Sequence, residues 1–124
     1  NGGIVIVYKR FTFDAAHCLT VLGEGHKCSR IHGHTFHLEV RCEGPVAEAS
    51  GMVIAYEHIK AAVTPVLETL DHHYLNDLPG LEIPTTENLA IYLWNLLKPA
   101  LPLLSEIHLQ ETASAGVIYR GPES

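Results

Sequence analysis

The sequence predicts an α+β domain in which a four-stranded antiparallel sheet carries two helices on one face. Residues 32–42 alternate between apolar and polar side chains, as expected for a strand with one buried face. Residues 56–70 and 89–97 repeat apolar side chains at helical spacing. Two short segments, 106–111 and 116–120, then favour a closing hairpin. The predicted order of elements is therefore ββααββ.

The first two strands are predicted from side-chain type and from alternation. Residues Ile4–Phe13 are mostly β-branched or aromatic, which favours an extended strand. One face of the second strand carries His32, His34, Phe36, Leu38, Val40 and Cys42. Its other face carries Thr35, His37, Glu39 and Arg41. We expect the first face to pack against the helices and the second to remain polar.

The two helices differ in how clearly their ends are signalled. The first is predicted over Tyr56–Leu70, but Pro65 removes a helical N–H, so we expect a kink there or a helix that begins nearer Pro65. The second helix begins with Thr85 or Thr86 as its N-cap, and two prolines end it. Its predicted apolar stripe consists of Leu89, Leu93, Leu96 and Leu97.

Length and composition indicate one domain over residues 1–124, with residues 1–3 set aside as a disordered N-terminus or an expression remnant. Hydrophobic residues make up 47% of the chain, enough for a buried core. The net charge of −6 argues against nucleic acid or an anionic membrane as the main partner. The apolar run Ile4–Val7 is far too short to span a bilayer. Three cysteines without a CxxC pair disfavour a disulfide scaffold and fit a reducing cytoplasm.

The predicted sheet is open, so it has two exposed edges and one polar face. These features together predict a homo-oligomer in which sheets close against each other. A monomeric mass in solution at micromolar concentration would contradict this.

Three of the nine histidines form the strongest chemical signal. His32 and His34 are two positions apart, so their imidazoles project from the same strand face. Pairing of the first two strands would bring His17 to the same place. Three neutral imidazole nitrogens with an open fourth position suit a catalytic zinc ion. The alternative is that His32 and His34 are ordinary polar strand residues, but two unpaired imidazoles on an apolar face would be costly.

Four other residues carry candidate chemistry. Cys28 lies between basic residues that favour a thiolate, so it could act as base or nucleophile, be a small buried residue, or be a fourth zinc ligand. Asp71 and His72 could support proton transfer, although a solvated pair at a helix end is the commoner interpretation. Glu111 could accept two hydrogen bonds from a guanidine-like edge of a ligand, or be an exposed charge at a strand end.

Six stretches of the chain occur together in a recognisable order: Phe11–His17, Gly25–His34, Leu70–Asn76, Pro84–Asn88, Gln110–Thr112 and Tyr119–Gly121. In these stretches the chain resembles the 6-pyruvoyl-tetrahydropterin synthase superfamily, most closely the bacterial 6-carboxy-tetrahydropterin synthases of queuosine biosynthesis. The three-residue gap between Cys28 and His32 is similar to that of the carboxy-forming subfamily. The chain departs from the family at Ala55-Tyr56, where an Asp-Phe or similar pair is usual, which affects the capping of the first helix.

The resemblance implies the tunnelling fold, in which trimeric rings of sheets stack into a barrel-shaped hexamer, a dimer of trimers. It implies Zn²⁺ as the cofactor, and the implied ligands are His17, His32 and His34. Cys28 resembles the catalytic proton acceptor. Asp71 and His72 resemble the acid/base pair. Glu111 resembles a catalytic residue that also anchors the pterin. The other residues implied in substrate binding are Thr86, Lys27 and Arg30.

The implied activity is a zinc-dependent carbon–carbon lyase reaction on a pterin triphosphate. It converts 7,8-dihydroneopterin triphosphate to 6-carboxy-5,6,7,8-tetrahydropterin and releases acetaldehyde and triphosphate. An alternative is the 6-pyruvoyl-tetrahydropterin synthase reaction of biopterin synthesis, which leaves the three-carbon side chain attached. A non-catalytic zinc-binding interaction module, with Cys28 as fourth ligand, is the alternative from a different class.

Overall fold

The computed structural model describes residues 2–123 and has the predicted α+β architecture with one added strand. The strands are β1 (Ile4–His17), β2 (His32–Pro45), β3 (His73–Tyr74), β4 (Leu104–Thr112) and β5 (Ala115–Tyr119). The helices are α1 (Tyr56–Leu70) and α2 (Thr86–Leu97). Across the sheet the strands lie in the order β3-β1-β2-β4-β5.

The prediction of a four-stranded antiparallel sheet is wrong in one respect, because the sheet has five strands and is mixed. The extra strand β3 pairs in parallel with β1 through Ala15↔His73 and Ala16↔Tyr74. A strand of two residues is too short to show alternation, so no periodic pattern predicts it. Its pairing fixes the segment that follows α1 against the end of β1.

Strands β1 and β2 are longer than predicted and form the centre of the sheet. Each has 14 residues, and they pair from Ile4↔Pro45 to His17↔His32. The predicted alternation in β2 is confirmed, since its apolar face from Phe36 to Cys42 is at most 1% exposed. Glu39 is the exception on the polar face, where it is only 8% exposed. Arg10 and Arg41 form ion pairs with the Glu39 carboxylate.

Both helices contribute to one core cluster with the apolar face of the sheet. Helix α1 buries the side chains of Ile59, Val63, Leu67 and Leu70. Helix α2 differs from its predicted stripe, because Leu96 is 44% exposed while Ala90 and Trp94 are buried. The Trp94 ring packs edge-on against Tyr119 of β5, at 5.4 Å between centroids. The buried face of α2 therefore includes Trp94, and Leu96 lies outside it.

The ends of the helices follow their capping chemistry. Thr85 caps α2 as predicted, since its hydroxyl accepts a hydrogen bond of 3.1 Å from the Asn88 amide. Ala55 occupies the N-cap of α1 and supplies no side-chain hydrogen bond. The expectation that α1 begins nearer Pro65 is wrong, because the helix starts at Tyr56 and continues through the proline. Pro65 is exposed, as is Ala61, so water can reach the carbonyl that the proline leaves unpaired.

Two exclusions from the sequence can be compared with the structure. Within residues 2–123, no helix is long and apolar enough to cross a membrane. All three cysteines are free; Cys42 is buried as a small apolar residue, and Cys18 is buried with its thiol donating a 2.6 Å hydrogen bond to the Ser29 carbonyl. The predicted homo-oligomer remains a prediction.

Candidate metal centre and active site

Three imidazoles converge where β1 ends and β2 begins. His17 pairs directly with His32, and His34 lies opposite Ala15 on the same two strands. The three ring centroids are 4.5–5.2 Å apart. Their Nε2 atoms are buried and form no hydrogen bond among the described residues. Buried polar atoms are nearly always partnered, so this group of three fits a metal ion as its missing partner.

Backbone carbonyls orient two of these rings. Nδ1 of His17 lies 2.8 Å from the Pro84 carbonyl, and Nδ1 of His32 lies 2.7 Å from the Arg30 carbonyl. A carbonyl can only accept, so each Nδ1 is the donor, and the neutral form of such a ring has its lone pair on Nε2. This is the arrangement in which second partners orient histidine ligands of a metal.

The ionisation of His34 also suits a metal ligand. Burial lowers the pKa of His34, and the neighbouring His17 and His32 lower it further, against an opposing effect of Glu111. The neutral imidazole is therefore favoured, and this is the form that donates a lone pair to a metal.

Glu111 completes the group, so its interpretation as an exposed charge at a strand end is not what the structure shows. One carboxylate oxygen, Oε1, lies 3.1 Å from His17 Nε2 and 3.0 Å from His34 Nε2. The other, Oε2, accepts a hydrogen bond of 2.9 Å from the hydroxyl of Thr86. Thr86 is 7% exposed at the start of α2. The four candidate ligands His17, His32, His34 and Glu111 have donor atoms within 4.8 Å of one another.

Cys28 is not part of this group. It is half-buried in a short 3-10 turn, Lys27–Ser29, and is not among the four candidate ligands. Its carbonyl accepts a 2.8 Å hydrogen bond from the Leu19 amide, and its own amide donates to Nδ1 of His26 at 3.1 Å. These bonds hold the turn against the chain that leaves β1 immediately after His17.

Asp71 and His72 form a second group with Asp14. Nδ1 of His72 lies 3.0 Å from Asp71 Oδ2, and the Asp14 amide donates to Asp71 Oδ1 at 2.8 Å. That backbone hydrogen bond lowers the pKa of Asp71, and His72 adds to the effect. Asp71 is therefore held as a carboxylate beside the imidazole.

One pocket connects the two groups. It has a volume of about 530 Å³, and its lining includes the candidate metal ligand His34 together with His72, Asp14 and Thr35. A larger concavity of about 780 Å³ lies along the helix-free face of the sheet, and its lining includes none of the predicted site residues.

The side chains of two predicted substrate-binding residues, Lys27 and Arg30, form no bond with the described residues of the site. Lys27 and Arg30 are exposed, and their side chains make no hydrogen bond or ion pair within residues 2–123. They flank Cys28 in sequence, at the rim of the same turn.

Several residues that build the site are not predictable from side-chain chemistry. The carbonyls of Pro84 and Arg30 act through the backbone, which leaves no compositional signal. Asn76 donates to and accepts from the backbone of Cys18, at 2.9 Å in each direction, and so anchors the chain beside His17. Asn76 and Asp14 lie inside the matched stretches, which is the one signal that could have found them.

Nearly the whole chain is similar to a known family of proteins. Residues 6–122 match the family model described as 6-pyruvoyl tetrahydropterin synthase. The chain is 38% identical over 123 residues to a 6-carboxy-5,6,7,8-tetrahydropterin synthase of Synechocystis sp., with 94% of each chain covered. It is also 38% identical over 130 residues to a 6-pyruvoyl tetrahydrobiopterin synthase of Dictyostelium discoideum, with 94% of this chain and 96% of the relative covered.

A solved structure of a protein with a similar name has the same fold. The structure of Caenorhabditis elegans 6-pyruvoyl tetrahydropterin synthase superposes with a TM-score of 0.89 at 30% identity, and 97% of each chain is covered. The likeness therefore spans both helices and every strand that carries a candidate site residue.

Proposed function

Because the chain belongs to the 6-pyruvoyl tetrahydropterin synthase family, we propose that it is a zinc-dependent 6-carboxy-5,6,7,8-tetrahydropterin synthase. Its substrate is 7,8-dihydroneopterin triphosphate, and its products are 6-carboxy-tetrahydropterin, acetaldehyde and triphosphate. The reaction belongs to queuosine (7-deazaguanine) biosynthesis.

The observation that carries the proposal is the convergence of three buried Nε2 atoms without hydrogen bonds. Three neutral histidine ligands with a further open position are the donor set of a catalytic zinc site. His17, His32 and His34 would hold the zinc ion, which would supply Lewis-acid polarisation of substrate hydroxyl groups. The rest of the chemistry falls to side chains around this group.

Proton transfer is assigned to two places on the rim of the site. Cys28, as a thiolate, removes a proton from the substrate side chain. His72 returns protons, and Asp71 holds the ring through the contact to Nδ1. The oxidation level is rearranged within the substrate, so no redox cofactor is required.

Substrate binding is assigned to the pterin end and the phosphate end separately. The Glu111 carboxylate is the hydrogen-bond acceptor for the 2-amino and N3 groups of the pterin, and the Thr86 hydroxyl fixes its orientation. Lys27 and Arg30 are exposed cations for the triphosphate. Their local positive charge offsets the net charge of −6 that would otherwise repel the ligand.

Cys28→Ala separates a catalytic thiol from a structural one. We expect this variant to keep its zinc and lose turnover, because the thiol lies outside the group of candidate ligands. Cys42→Ala is the matched control, since Cys42 is a buried core cysteine at the far end of the same strand from His32 and should retain turnover. Loss of zinc from Cys28→Ala would instead favour the non-catalytic zinc module.

Glu111→Gln separates a pterin anchor from a fourth metal ligand. The amide keeps the size of the side chain but has a donor NH2 group in place of one carboxylate oxygen, so it cannot accept the bidentate pair of hydrogen bonds from a guanidine-like edge. We expect KM to rise while the zinc dissociation constant stays the same. A weakened zinc affinity with unchanged KM would make Glu111 a metal ligand, in keeping with its 3.0 Å contact to His34.

The 6-pyruvoyl tetrahydropterin synthase reaction remains the second candidate, because the Dictyostelium relative with that name is also 38% identical. It uses the same substrate and would use the same residues. The three-residue gap between Cys28 and His32 favours the carboxy-forming reaction. Product mass separates the two.

A homo-hexamer built as a dimer of trimers, acting in the cytoplasm, completes the proposal. The exposed apolar side chains at the start of β1, Ile4 to Ile6, support association of this kind. Light scattering at micromolar concentration tests it, and a monomeric mass would contradict it.

A further inference from the structure

The backbone of Asp14 holds the segment that carries Asp71 and His72, through both its amide and its carbonyl group. Its amide donates to Oδ1 of Asp71 at 2.8 Å. Its carbonyl accepts a hydrogen bond of 2.6 Å from the amide of His72. One strand residue therefore fixes the carboxylate and the backbone that precedes the imidazole.

The backbone of His72 needs this support. Among residues 2–123 it is the single non-glycine residue with a positive φ, at 60°. A residue other than glycine is held in this left-handed conformation only when its surroundings determine it. The hydrogen bond to Asp14 and the β3 pairing that begins at His73 supply that determination.

Thr35 fixes the side chain of Asp14. Its hydroxyl donates a hydrogen bond of 2.5 Å to Asp14 Oδ1, across the β1–β2 pair in which the two residues are direct partners. The Asp14 carboxylate then lies within 4.8 Å of ligand atoms of both Asp71 and His72. His72 thus faces two carboxylates, and only that of Asp71 contacts its ring.

The position of Thr35 links this group to the candidate metal centre. Thr35 follows His34 in β2, and both residues are part of the lining of the pocket that also includes His72. The two residues point to opposite faces of the strand, so His34 reaches the metal group while Thr35 reaches Asp14. One short stretch of β2 therefore sets the relative position of both groups.

We propose that Thr35 and Asp14 are positioning residues for His72, which they hold in place beside the candidate metal centre for proton transfer. This inference rests on the proposed function for the role of His72. Neither residue is assigned to substrate or metal. Their effect on the reaction passes through the placement and charge environment of the imidazole.

The test compares Thr35→Val, which removes the hydroxyl and keeps the shape, with Thr35→Ser, which keeps the hydroxyl. Asp14→Asn removes the charge and keeps an acceptor for Thr35. Thr12→Val is the matched control, because Thr12 is another exposed threonine on the helix-free face. Thr35 and Asp14 are exposed as well, so these changes should leave the fold intact.

We expect Thr35→Val and Asp14→Asn to lower kcat by about tenfold with KM unchanged, a part of what acid–base catalysis contributes. Thr35→Ser should restore kcat to within about twofold, and Thr12→Val should match the wild type. Zinc content should be equal in all of them. A kcat for Thr35→Val within twofold of wild type, or a serine variant as slow as the valine variant, would overturn the inference.

A second readout does not depend on the substrate. The ring ¹⁵N chemical shifts of His72 should change in Thr35→Val and not in Thr12→Val. If the wild type gave no product while these shifts still changed, the proposed function would fail and the positioning would stand. Shifts that are identical in Thr35→Val and wild type would overturn the positioning itself.

Discussion

Removal of metal should destabilise the fold measurably, because the buried Nε2 atoms of His17, His32 and His34 then form no hydrogen bond. A buried polar atom without a hydrogen bond costs about 1–3 kcal/mol, and His32 Nε2 has no polar contact among the described residues, whereas Glu111 Oε1 lies 3.1 Å from His17 Nε2 and 3.0 Å from His34 Nε2. A metal ion bound by His17, His32 and His34 removes this cost. Binding to the folded state alone raises the free energy of unfolding.

Mass action sets the size of the expected change. Free zinc at about 100 times its dissociation constant stabilises the folded state by about 2.7 kcal/mol. For 124 residues, an unfolding entropy of about 2.1 cal/mol/K per residue amounts to about 0.26 kcal/mol/K. The melting temperature should therefore fall by about 10 °C on chelation.

Thermal unfolding with and without a chelator measures this shift in three proteins. We expect wild type and His37→Ala to lose about 10 °C, because His37 is exposed on the opposite face of the same strand. His32→Ala should melt lower from the start and should not respond to chelation. An equal response of His32→Ala and wild type would refute the assignment of these nitrogens to a metal, as would a wild type that does not respond at saturating zinc.

Three further predictions concern the fold. Burial raises the pKa of Glu39, but hydrogen bonds from its arginine partners outweigh this and hold the pKa below the ordinary 4.5. The Glu39 carboxylate therefore contributes fully to stability above pH 4.5, and this contribution is lost as pH falls through its lower pKa in the folded state. Glu39→Gln should lower the free energy of unfolding by about 1–3 kcal/mol at pH 7 in urea unfolding, and it should flatten this dependence on acid pH. In Gly121→Ala the new Cβ would lie 2.5 Å from the Trp94 ring at a φ of +91°, so we expect a loss of about 1–3 kcal/mol and altered fluorescence of the single tryptophan. Ala55→Ser should stabilise the protein by about 1 kcal/mol in the same unfolding assay, because Ala55 provides no cap for α1; an unchanged midpoint would contradict this.

The long elements were predictable because their signals are periodic. Alternation over residues 32–42 predicted which face of β2 is buried, and the structure agrees for every apolar position from Phe36 to Cys42. Helical spacing predicted α1 to its first and last residue. The prediction that Leu96 is buried is wrong, because helical spacing does not fix which edge of the apolar stripe meets the sheet; Trp94 packs on β5 and Leu96 is exposed.

The site was predictable only in part. The spacing of His32 and His34 placed them on one face, and strand pairing brings His17 beside them. The two-residue strand β3 and the left-handed His72 arise from tertiary contacts with Asp14 to Ala16, which no local pattern encodes. The approach of Glu111 to the histidines likewise depends on the register of β4 and on Thr86 in a different element.

The most direct test of the central claim is mass analysis of the pterin formed from 7,8-dihydroneopterin triphosphate by the zinc-loaded protein. The proposed function predicts 6-carboxy-5,6,7,8-tetrahydropterin, with an equivalent of acetaldehyde. A pterin that retains its three-carbon side chain would contradict the carboxy-forming assignment, and unchanged substrate would contradict the proposed activity altogether.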